Sequence, residues 1–140
     1  MICHLKITAL RLHKFAVAVV MLVLAGCAVS VDGIAAGDAV RGREVVMGRD
    51  GNCLLCHAIP ETGARFMGNL GPTLSGIGAR LDVAQLRLRL VDPQRANPDS
   101  IMPAYARVDG LTQVAQAWRG KSILTAQQIN DTVAFLATLR

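Results

Sequence analysis

Aromatic side chains are scarce in this 140-residue chain, which holds three Phe, one Tyr and one Trp. Beyond residue 36 only Phe66, Tyr105, Trp118 and Phe135 remain. That is too few to interleave stacking rings with basic groups along a single strand, which argues against a nucleic-acid partner. Long apolar runs are also missing after residue 36. Nothing there approaches the roughly 20 residues a spanning helix needs, so a membrane channel is excluded. Cysteine is limited to Cys3, Cys27, Cys53 and Cys56, and histidine to His4, His13 and His57. The segment beyond residue 36 therefore offers two Cys and one His where a closed zinc site wants four ligands.

The hydrophobic share of 52% is concentrated at the N-terminus. Phe15 to Val31 carries no charge and follows Lys6, Arg11 and Lys14, with no acid before it, the pattern of an export signal over residues 1–36. Leu24-Ala25-Gly26-Cys27 matches a bacterial lipobox, in which Cys27 becomes a lipidated first residue. Small residues at Gly33, Ala35 and Ala36 suit ordinary signal peptidase equally well. An uncleaved anchor is the third reading, since seventeen uncharged residues just suffice to span. Each places residues 37–140 in the oxidising periplasm, free or membrane-anchored through Cys27. Those 104 residues hold twelve Lys+Arg and nine Asp+Glu, a mild net charge of about +3. So short a chain builds one small core, which a cofactor or staple would complete.

Cys53 and Cys56 invite two bland readings, a single disulfide or a thioredoxin-like redox pair. The next residue changes the chemistry. Cys53-Leu54-Leu55-Cys56-His57 is the covalent haem attachment signal, in which two thioethers form to the porphyrin and the adjacent imidazole turns onto iron. A thioredoxin-type site would also need alternating strands and helices, and convincing strand runs are missing. One covalently attached haem c is the expected cofactor.

Three helices are expected around it. Asp38 caps one through about Met47, with Val40, Val45 and Val46 apolar, Met47 in the core and Gly48 as its stop. Thr125 and Gln128 form a capping-box pattern ahead of Ile129, Val133, Leu136 and Leu139 at helical spacing, with Phe135 beside them. Asp82 caps a third over Val83 to Val91, stopped by Pro93, with Val83, Leu86 and Leu90 on one face. Leu86-Arg87-Leu88-Arg89-Leu90 alternates with period two, but a lone strand has nowhere to pair. Residues 58–80 and 92–124, rich in Gly, Pro and Asn, read as loops over the cofactor.

This order of elements resembles the small monohaem class of cytochrome c. The likeness covers nearly all of residues 37–140 and rests on Cys53 to His57, Gly71-Pro72-Thr73-Leu74, Met102 and Val133-Ala134-Phe135-Leu136. It implies an all-α fold of about three to five helices wrapped around the haem. It also implies that the Pro72 carbonyl accepts a hydrogen bond from the His57 ring, that Leu74 packs on the same haem face, and that Gly42 meets Phe135 between the terminal helices. For iron, His57 is the only histidine beyond residue 36. Met47, Met67 and Met102 are the thioethers from which a sixth ligand would come. Met102, followed by the stiffening Pro103, has the position of a distal ligand. Met67 is the alternative, and Met102 as a mere gap filler is the bland one.

Three runs narrow the likeness: Gly51 to Pro60, Asn97-Pro98-Asp99-Ser100-Ile101-Met102-Pro103-Ala104-Tyr105, and Arg119 to Ala126. They resemble the SoxX family, the small cytochrome subunits of SoxAX complexes. That resemblance implies a heterodimer with a larger c-type cytochrome subunit, SoxA-like. Its haem would couple thiosulfate oxidatively to a cysteine of a sulfur-carrier protein, while the small subunit takes up electrons and passes them to a small acceptor cytochrome. The lipid-anchor reading of Cys27 is not a feature associated with that family. The residues themselves offer no free nucleophile or paired acid and base, so no catalysis is expected of this chain alone. A generic electron shuttle to a terminal oxidase is the alternative, and a gas sensor is disfavoured by Met102. Arg80, Arg87, Arg89, Arg107 and Arg119 are candidates for haem propionates or an acidic partner, with solvated surface as the bland reading. Tyr105 and Trp118 read as core or rim residues.

Overall fold

The computed structural model describes residues 36–140; the export signal and Cys27 lie outside the described residues. Helix α1 spans Ala39–Met47, starting where the Asp38 carboxylate accepts hydrogen bonds from the Val40 and Arg41 amides at 2.8 and 3.0 Å. It ends at Gly48, whose amide donates to the carbonyls of Glu44 and Val45. Helix α5, Ala126–Thr138, opens with a reciprocal capping box between Thr125 and Gln128, at 3.1 and 2.9 Å. It buries Ile129, Val133, Phe135 and Leu136.

Gly42 lets these two terminal helices touch backbone to backbone. A Cβ there would stand 1.9 Å from the Asp131 carbonyl oxygen and 2.9 Å from Phe135 Cβ, so only glycine fits this crossing. Polar groups lock it on one side. The Asp131 carboxylate, 4% exposed, accepts hydrogen bonds from the Asp38 amide, from Arg41 Nε and Nη2, and from Gln127 Nε2 at 2.8–3.0 Å. Arg41 beside it holds this carboxyl down at about 2.

Helix α3, Val83–Val91, begins with a second capping box between Asp82 and Gln85. The period-two run within it is helical. Leu86 and Leu90, four residues apart, share its buried face and pack on α5. Val83 was expected on that face but is 60% exposed, because it occupies the first turn, ahead of the contact. Met47, expected in the core, is 40% exposed at the end of α1. Two stretches expected to be loops contain short helices: α2, Ile77–Arg80, against the end of α5, and α4, Pro93–Ala96, against α3. Pro93, expected to stop α3, also starts α4, since a ring-fixed φ and a missing N–H cost nothing at a first helical position. Further 3₁₀ turns lie at Pro60–Thr62 and Gln116–Trp118. Among the described residues there are five α-helices and no strand. None of those helices is long and apolar enough to cross a membrane.

Candidate metal centre

Cys53 opens a 3₁₀ turn, Cys53–Leu55, that follows Asn52 in the left-handed region at φ 50°, and Cys56 caps its end. The His57 amide donates to the Cys53 carbonyl at 2.9 Å and the Cys56 amide to the same oxygen at 3.2 Å. This tight coil brings both sulfurs and the imidazole to one cavity of about 500 Å³, within the roughly 300–1,000 Å³ typical of cofactor pockets. The sulfurs are not bonded to each other. Burial pushes the Cys53 thiol up to about 11. The thioredoxin-like reading fails on fold, since it needs alternating strands and helices and the described residues hold no strand.

His57 is aimed by its neighbours. Its Nδ1 lies 2.7 Å from the Pro72 carbonyl oxygen. A carbonyl can only accept, so Nδ1 carries the proton and Nε2 keeps the lone pair. Gly71 makes room for this arrangement: a Cβ there would lie 2.4 Å from Cε1 of the imidazole and 2.7 Å from Nδ1. The Gly71 amide, donating to the Cys56 carbonyl at 2.8 Å, ties the Gly-Pro segment back to the attachment turn.

The two candidate methionines differ in their surroundings. The Met67 sulfur accepts a hydrogen bond from the Ile59 amide at 3.2 Å, and Met67 does not line the cavity. Met102 does line it, half-buried against the core. Leu74, expected on the haem face that His57 occupies, lines the same cavity, as do Ile77, Leu86, Leu90 and Leu136.

The five arginines separate by what they bind. Arg80 donates to the carbonyls of Ser75 and Thr73, Arg87 to Asn130, Arg107 to Asp92 and Gln94, and Arg119 to the Val114 carbonyl. Only Arg89 of the five lines the cavity. Trp118 is 56% exposed, away from the cavity. Tyr105 is buried, lines the cavity, and donates to the Gly51 carbonyl at 2.6 Å. That bond, joining the end of the methionine loop to the start of the attachment turn, had no signal in the sequence, because the partners are 54 residues apart.

The residues fit a covalently bound haem. Two unpaired cysteines, an imidazole with a free Nε2 and a thioether line one mainly apolar cavity, and among the described residues no group of three or more His, Cys, Asp or Glu is arranged to hold a bare metal ion. A soft, uncharged donor set of this kind suits haem iron.

Comparison with known proteins agrees. The family model described as cytochrome c matches residues 39–140. Among solved structures, the crystal structure of SoxXA from P. pantotrophus contains a chain that is 36% identical. The match covers 75% of this chain and 83% of that one, with a TM-score of 0.69. No curated protein matches.

Proposed function

The chain belongs to the cytochrome c family of electron-transfer proteins, and from this premise we propose that it is the SoxX-like subunit of a two-cytochrome complex that oxidises thiosulfate. The observation that carries the proposal is the 36% identity to a SoxXA chain over 75% of this one. One haem c, attached through Cys53 and Cys56, supplies a one-electron iron couple.

The chain's own residues set the conditions for that couple. Pro72 fixes the tautomer and direction of His57 and strengthens Nε2 as a donor. Met102 provides the thioether, a ligand that favours the reduced state and raises the potential. The leucine side chains make the cavity lining mainly apolar, which further disfavours net charge at the centre. Cys53, Cys56 and His57 would be committed to the haem, so oxidation of thiosulfate is assigned to a SoxA-like partner, and this chain takes up its electrons. A sulfur-carrier protein and a small acceptor cytochrome complete the pathway proposed here. Residues 1–36 export the chain, and residues 37–140 work in the periplasm. Intact mass distinguishes a lipidated N-terminal Cys27 from cleavage after Ala36.

The test is capture of the full chain from a periplasmic or membrane extract of its own bacterium. A larger c-type cytochrome is expected to co-purify, and only the pair should consume thiosulfate when a carrier cysteine and an electron acceptor are supplied. A monomer that feeds a terminal oxidase at full rate, with sulfur oxidation untouched by its deletion, would refute the proposal.

A further inference from the structure

The segment carrying Met102 is held by a bracket of three side chains from outside it. Gln94, in α4, directs both hydrogens of its amide at the turn: Nε2 lies 2.9 Å from the Ser100 carbonyl oxygen and 3.1 Å from that of Met102. Its Oε1 accepts from Arg107 Nη2 at 3.1 Å. Arg107 also pairs with the Asp92 carboxylate at the start of α4. The amide can be oriented only one way, since the two carbonyls need donors and the guanidinium needs an acceptor. Asp92 and Gln94 thus lie before the methionine and Arg107 after it. The Arg107–Asp92 pair closes the neck of the segment, and Gln94 spans its tip on either side of Ile101. The Ser100 hydroxyl, 3.3 Å from the Met102 amide, restrains the tip from within.

We propose that Gln94 and Arg107 are positioning residues that hold the Met102 sulfur at the metal and thereby set how readily an outside ligand displaces it. The proposal rests on Met102 being the sixth ligand. A thioether is an uncharged and weak donor, so its residence depends on how firmly the chain presents it. Without the bracket, two carbonyl oxygens turn to water at little cost and the tip can swing away. Asp92 acts one step further out, by fixing the guanidinium that fixes the amide.

Imidazole binding to the oxidised holoprotein, followed by absorbance, tests this. Imidazole must displace the sulfur, so its apparent affinity reports how often the site opens. Gln94→Ala should raise that affinity about tenfold, the scale of its two lost neutral hydrogen bonds to the Ser100 and Met102 carbonyls, and Arg107→Ala, which removes the charge-assisted bonds to Asp92 and Gln94, should raise it as well. The weak near-infrared sulfur-to-iron band should fade in parallel. Arg107→Lys, which keeps the charge opposite Asp92 but loses the planar fork, should fall between wild type and Arg107→Ala.

The decisive comparison is a Met102→Ala background, where Gln94→Ala should change nothing further. An equal increase in both backgrounds would mean that Gln94 merely gates entry to the cavity, and no increase in either would mean that the bracket is idle; each result overturns the proposal. If Met102→Ala by itself leaves imidazole affinity and the near-infrared band unchanged, the ligation reading beneath it has failed instead. Gln94 and Arg107 lie outside the buried core, so both variants should fold.

Discussion

Replacing Gly42 by Ala should loosen the whole domain, although it adds one methyl group far from the metal. The new Cβ would stand 1.9 Å from the Asp131 carbonyl oxygen, and real Cβ atoms do not approach closer than 3.0 Å. The helices must therefore separate by at least 1.1 Å, the difference between those distances. The obstructing atoms are backbone and a Cβ, which have no rotamer to retreat into. Separation would draw α1, which carries the fully buried Val46, from α5 with its buried Phe135. Overpacking of this kind costs about 1–3 kcal/mol or more. A backbone clash falls at the upper end. Alanine regains about 1 kcal/mol through its better helix propensity, leaving a net loss of about 2 kcal/mol. For a domain of this size, that lowers the thermal midpoint by about 8–16 °C. The assay is urea or thermal unfolding of the oxidised holoprotein, with Val40→Ala, on the same helix and 72% exposed, as the control. A midpoint for Gly42→Ala equal to or above wild type would refute the reasoning, since it would mean that the terminal helices do not rest on each other at this glycine.

Three further outcomes are expected. Met102→Ala should abolish the near-infrared band of the oxidised protein and let the reduced protein bind carbon monoxide, while Met67→Ala, whose sulfur only meets the Ile59 amide, should do neither; the reverse pattern would transfer the ligand role to Met67. Gly71→Ala should displace the His57 ring from its bond to Pro72, seen as a weakened or shifted Soret band, and an unchanged spectrum would show that the 2.4 Å approach is not a constraint. The Asp131 carboxyl is held at about 2 in the folded protein, chiefly by Arg41, against 3.8 ordinarily. A lowered folded pKa contributes stability that is complete above the unfolded value and is lost as pH falls from about 4 to about 2. Arg41 is half-exposed and solvent screens the pair, so the loss is on the order of 1 kcal/mol. Asp131→Asn should flatten the urea midpoint across that pH window, and a slope unchanged by the substitution would place the acid sensitivity elsewhere.

The features legible in the sequence are those whose physics is local. Asp38, Asp82 and Thr125 announce helix starts because a capping side chain reaches only two or three residues along its own chain. The Cys53–His57 spacing announces the attachment turn for the same reason, and Gly71-Pro72 was readable through family likeness. Burial on a helix was less secure. Val83 and Met47 have suitable spacing but occupy first and last positions, where no neighbouring helix reaches. The short helices α2 and α4 escaped notice because four-residue helices owe little to propensity and nearly everything to the surface they rest on.

What only the tertiary structure decided is which of several chemically equivalent residues meets the cavity. Met67 and Met102 are the same thioether on two Gly- and Pro-rich segments. One sulfur is taken by the Ile59 amide and the other lines the cavity. The arginines sort in the same way, with Arg89 at the wall and Arg107 turned to Asp92 and Gln94. The sequence by itself determined the cofactor chemistry, the helix starts and the all-α class, each encoded within a few neighbouring residues. It did not determine the partners of Met67, Gln94 or Tyr105. Those contacts depend on how separate segments of chain meet in space, and only packing settles that.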